Sequence, residues 1–247
     1  MKTNQITAYR SSAIKMLLIP ALGLTMIFSS CKKDGTTTAA VTADEAAEVM
    51  VQSIDPASGG LALQTTAATT ITLTNSSSVK CGVAKDSTIS GSGGTAARAY
   101  TYNLNWHRLL TCGVGSLPSK LDFTFTGGST YSGPKMSSDD NSTGAFSVTG
   151  LEPSGAEYTV NQTYTRNGTQ QSKVRNNRSF TSTVNVTTTN VKVNKVSQQI
   201  TSGTGIIAIT GTASTGEAFS FTGTITFLGS KKATIVLSTG AKYQVQW

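Results

Sequence analysis

Between residues 219 and 227 the chain alternates: Phe219, Phe221, Ile225 and Phe227 share one phase, and Ser220, Thr222, Thr224 and Thr226 the other. A period of two makes a strand with one buried and one wet face. Ile207 and Ile209 do the same upstream and Ile235 with Leu237 downstream, while Tyr243, Val245 and Trp247 alternate with Gln244 and Gln246. Ser214-Thr215-Gly216, Gly229-Ser230 and Ser238-Thr239-Gly240 separate these runs by hairpin-sized connections, so the pattern predicts a four-stranded antiparallel meander.

The middle of the chain repeats this grammar. Tyr100, Tyr102, Leu104 and Trp106 share a phase, as do Leu121, Phe123 and Phe125. Tyr158, Val160 and Tyr164 precede Asn167-Gly168, a hairpin signal, and Phe180, Val184 and Val186 begin a further strand. Charged residues make up only 13% of the chain, about half the usual share. Abundant Thr suits extended backbone with a wet outer face. One helix is expected, over 42–55: Thr42-Ala43-Asp44-Glu45 has the form of a capping box, and Ala46, Val49, Met50, Ser53 and Ile54 recur at helical spacing before Pro56. No later stretch reads as helical. The fold class is therefore all-β, an antiparallel sandwich-like domain over 56–247 with one short N-terminal α-helix.

The N-terminal region carries an address. Lys2, Arg10 and Lys15 precede an apolar run from Met16 to Phe28, too short to span a membrane, and Phe28-Ser29-Ser30-Cys31 follows. Residues 29–34, "SSCKKD", resemble the processing site of Bacteroidota lipoproteins. The resemblance covers the first ~35 residues. It implies that 1–30 is a signal peptide, that Cys31 is lipidated, and that the protein is anchored to the outer membrane, facing the periplasm or the surface. Residues 31–41 then form a tether. Cleavage would remove three of 20 basic residues against 12 acidic ones and lower the formal charge from +8 to +5. Export places Cys81 and Cys112 in an oxidising compartment, where they are expected to pair.

Catalytic constellations are sparse. His107 is the single histidine, and its phase, opposite Trp106, places it on the wet face. A Ser-His-Asp site or a zinc site therefore finds too few partners, and no catalytic residue, metal ligand or cofactor is assigned. Asp139 and Asp140 diverge if extended, while "SSDDNSTG" over 137–144 reads as a polar loop with weak calcium character. Arg166, Lys173, Arg175, Arg178, Lys192 and Lys195 occur in a stretch without acidic residues. With Asn167-Gly168 as a bend, they form a candidate patch for an acidic glycan or lipopolysaccharide; interleaved aromatics for nucleic acid are missing. Asp86-Ser87-Thr88 resembles the short O-glycosylation motif of Bacteroidota, with Ser87 the acceptor. The expected role is a non-enzymatic binding or structural module. A secreted glycan hydrolase is the alternative, and a small outer-membrane barrel the third, disfavoured by strands taken to be shorter than the ~9–11 residues a membrane needs.

Overall fold

The computed structural model describes residues 40–75, 80–174 and 177–247, with the side chains of 73–75 excepted. The expected signal peptide, Cys31 and Arg175 lie outside them. Two helices, α1 (Ala43–Ile54) and α2 (Leu61–Asn75), flank a short helical turn, Pro56–Ser58. Ten strands follow: β1 (Ala84–Thr95), β2 (Arg98–Cys112), β3 (Pro118–Ser132), β4 (Met136–Thr149), β5 (Glu157–Ser172), β6 (Ser179–Asn194), β7 (Ile200–Ala213), β8 (Ala218–Gly229), β9 (Lys232–Leu237) and β10 (Lys242–Gln246). They form one sheet in sequence order, every neighbouring pair antiparallel. The all-β antiparallel class with an N-terminal helix holds. In place of the second sheet of a sandwich, the helical segment supplies the inner layer: the Pro56–Ser58 turn meets β2 and β3, α2 meets β4, β5 and β7, and α1 meets β6, β7 and β10.

The capping box is realised. Glu45 N–H donates to the Thr42 hydroxyl at 3.3 Å, and Thr42 N–H donates back to Glu45 Oε2 at 3.0 Å. Val41, expected in the tether, is instead core, the hydrophobic residue before the N-cap that packs with the helix it precedes. At the other end Pro56 stops the helix, and Asp55 accepts Ala57 N–H at 2.9 Å. Gly59, at φ +71°, turns the chain into α2.

The second helix corrects the expectation that only strands follow Pro56. Its sequence, Leu-Ala-Leu-Gln-Thr-Thr-Ala-Ala-Thr-Thr-Ile, gives a period nothing to mark, because polar Gln64, Thr65 and Thr69 are buried with Leu61, Ala62 and Ala68 while Leu63 and Ala67 share the outer face with Thr66 and Thr70. Thr65, Thr69 and Thr72 donate to the carbonyls of Leu61, Thr65 and Ala68, at 2.8, 3.2 and 2.8 Å. Hydroxyls satisfied within their own helix let β-branched polar residues enter the core.

The predicted meander is β7–β10. The central strands alternate as read, and Trp106, Phe123, Phe125, Phe146 and Tyr164 form an aromatic cluster with ring centroids 5.2–6.0 Å apart. Two local expectations fail. Asn167-Gly168 is no bend but the middle of β5, and 137–144 is no loop but β4. The strand-length argument against a barrel also fails, since β1–β8 run 12 to 16 residues. Polarity makes the argument instead: Thr, Ser and Asn dominate the outward positions, while the apolar residues and both helices lie inside. A membrane barrel has the opposite arrangement.

Candidate functional site: an acidic cleft at the start of α1

Arg166 is fully buried, on the phase of Tyr164. Its Nη2 donates to Asp140 Oδ2 at 2.6 Å, and Nη1 to the carbonyls of Gln52 and Ser58 at 3.0 and 3.3 Å. Gln52 O is among the last carbonyls of α1, left without helical partners, and α1 has no basic residue in its last turn. The sheet thus delivers the cation that the helix C-terminus lacks. Burial works against the guanidinium charge, but Tyr164 and Asp140 outweigh it and keep the arginine protonated. Gln170 Nε2 donates to Asp140 Oδ1 at 2.8 Å, and Ser182 Oγ to Gln170 Oε1 at 2.8 Å. Gly168 makes room, since a Cβ there would lie 2.1 Å from Asp140 Oδ1. This network latches the helices to the sheet.

Among the described residues, the members of the candidate anion patch do not share one surface. Arg166 belongs to the core because a straight β5 turns it inward. Arg178 is nearly buried, its Nη1 4.0 Å from Glu45 Oε2. Lys173 donates to Ser132 Oγ at 2.8 Å beyond the end of β5, and Lys192 to Thr159 Oγ1 at 2.8 Å. Lys195, over the Tyr158 ring at 5.0 Å, follows β6 at the opposite end of the sheet from Lys173.

Cys81 and Cys112 are bonded, with Cα atoms 5.7 Å apart. His107 lies on the wet face as read, and the register sets Asp86 directly opposite, Nδ1 to Oδ1 2.7 Å. The sequence held this pairing: a two-residue turn at 96–97 fixes that register. Side-chain exposures of 54% and 84% leave the pair in open solvent, where such contacts contribute little. Ser87 points inward beside Trp106 on the edge strand, its hydroxyl buried without a hydrogen-bond partner among the described residues.

A cleft of about 490 Å³ lined by charged and apolar groups lies between α1, the β3–β4 turn, Val174 just after β5, and β10. Asp44, Glu45, Glu48 and Val51 of α1 form one wall; Lys135, Met136, Val174 and Tyr243 form the rest. Tyr243 OH donates to Asp44 Oδ1 at 2.8 Å, joining the last strand to the first helix. Glu45 is buried; its Oε2 accepts from Thr42 N–H and hydroxyl, each at 3.0 Å, while Oε1 has no hydrogen-bond partner among the described residues. The sequence marked Glu45 only as a cap. Four elements far apart in the chain build the cleft, so no local pattern announces it. Comparison with known proteins gives no match to any family model, curated protein or solved structure.

Proposed function

We propose that this chain is a lipid-anchored cell-envelope protein of the outer membrane, attached through Cys31, whose folded domain is a non-enzymatic binding module. The observation that carries the anchor is the sequence from Lys2 to Asp34: a basic start, a short apolar run, and Ser29-Ser30-Cys31-Lys32-Lys33-Asp34. The Cys81–Cys112 bond supports an oxidising address. The binding role rests on the α1 cleft, whose volume lies within the range of small-molecule sites. Glycan hydrolysis draws less support, because it needs two carboxylates flanking one bond, whereas Asp139 and Asp140 face opposite sides of β4 and Asp140 is committed to Arg166. The polar outward face counts against the barrel.

Labelling cells with a palmitate analogue tests the anchor. The wild-type chain should incorporate label and sediment with the outer membrane, whereas Cys31→Ala should do neither and keep its precursor mass. Equal processing and membrane retention of the variant would overturn the proposal.

A further inference from the structure

We propose that Arg108 and Lys85 hold a phosphate group at the β1 edge of the sheet, on its inner face. The site shares no residue with the α1 cleft, and the inference goes beyond the binding role assigned to that cleft. Arg108 is 9% exposed and lies on the phase of Leu104, Trp106 and Leu110. Among the described residues its guanidinium makes no hydrogen bond or ion pair, and Nε is sealed from solvent without a partner. A charge buried without a partner is costly, so Arg108 marks a position short of one anion.

The strand register strengthens the case. Lys85 stands directly opposite Arg108, on the phase of Ile89, which packs against the core; the other cross-strand neighbour of Arg108 is Phe123. Like charges opposed across an antiparallel pair, with Cβ atoms about 4.5–5.5 Å apart, destabilise it. An anion between the two heads replaces that repulsion by attraction. The fold places no carboxylate there. Asp86 and Asp122 point to the outer face, paired with His107 and Lys120. Asp140, the single acidic residue on the inner face of β1–β4, is bonded to Arg166. The other described acidic residues lie on the outer face, on α1 and its C-cap, or from the β4–β5 turn onward, and α1 packs at β6, β7 and β10. Helix α2 carries no charged residue.

One pair along the same strands Ser87 faces Trp106, and Ser87 Oγ and Trp106 Nε1 are both buried without hydrogen-bond partners. Two cations and two neutral donors therefore adjoin on one face, which is the chemistry of an oxyanion site. The guanidinium fork matches two oxygens and the ammonium a third. Two positive charges suit a phosphate monoester, at about −1.5 to −2 near neutral pH, better than a carboxylate. Access is from the side: β1 has no neighbour beyond it, Lys85 is half-buried at that edge, and the terminal nitrogens of Arg108 keep contact with solvent.

Calorimetric titration of the full chain in non-ionic detergent with inorganic phosphate, dihexanoyl phosphatidate and hexanoate tests this. Saturable one-site binding of phosphate is expected, weakening with salt, and none of hexanoate. Arg108→Met keeps an unbranched apolar stem and should abolish binding. Lys85→Gln, at the half-buried edge position, should weaken it roughly tenfold and decides the matter if the Arg108 variant fails to fold. Equal binding of phosphate and phosphatidate, or of phosphate alone, supports recognition of the phosphate group itself. Tighter binding of phosphatidate supports the same site with a lipid headgroup as the source. No saturable binding of either, equal binding of hexanoate, or an affinity unchanged in the folded variants would overturn the proposal. Failure of lipid labelling at Cys31 leaves these titrations untouched, so the two readings fail separately.

Discussion

Arg166 shows how one misjudged pair of residues can hide a core. Tyr164 and Arg166 share a phase, so the alternation that buried the tyrosine also buried the arginine. Treating Asn167-Gly168 as a bend removed that inference. The glycine serves instead as the clearance beneath Asp140. Removing one partner of a buried pair strands the other charge, so Arg166→Met should cost about 3–5 kcal/mol in urea unfolding. Replacing Asp140 by Leu in the same chain should recover much of that loss, since two apolar groups leave no stranded charge. Asp55 gives a prediction of opposite sign. Burial raises its carboxyl above the ordinary value, with Ala57 N–H, Arg98 and Arg166 acting the other way. Its charged form is thus disfavoured by folding. Its contribution to stability should fall as pH rises from the ordinary carboxyl value through the raised one, and then level off. Asp55→Asn keeps an acceptor for Ala57 and should flatten that part of the stability profile, measured by thermal unfolding from pH 4 to 7.

At the level of elements, strands announced themselves and the second helix did not. Alternation is visible because strands β2–β8 each have a wet face. Helix α2 has one, along Leu63, Thr66, Ala67 and Thr70, but it carries no charge and mixes apolar with polar residues, as the buried face does, and its threonines carry strand propensity until their hydroxyls find carbonyls one turn back. The edge strand β1 poses another problem, for it has a single neighbour and mostly exposed residues. The Cys81–Cys112 bond pins the chain just before β1 to the end of β2 across 31 positions. A loop of that size is worth about 3–4 kcal/mol in the chain-entropy model. Replacing both cysteines by serine should lower stability by roughly that amount. Hydrogen exchange should then accelerate in β1 and the end of β2 while β5 and β6 keep their protection.

Across the whole folded unit, the antiparallel character and the C-terminal meander followed from local signals, because each strand pairs with its sequence neighbour, whereas β4 was hidden by its polar residues. What no local signal carried was the placement of the helices inside the sheet. Their contacts reach from the Pro56–Ser58 turn at β2 to α1 at β10. A chain ending at Gly240 lacks β10 and should lose cooperative unfolding, with limited proteolysis cutting first within α1. Retention of a single sharp transition would show that β10 is dispensable.

The contact between Tyr243 and Asp44 joins residues 199 positions apart. Synthesis runs from the N-terminus, so α1 is made well before β10, the strand that covers part of its apolar side. Until β10 emerges the sheet can grow by adding hairpins, but the seam beside α1 stays open and in reach of proteases. The order of synthesis thus sets the order of closure, with the helix waiting for a strand that arrives some 199 residues later.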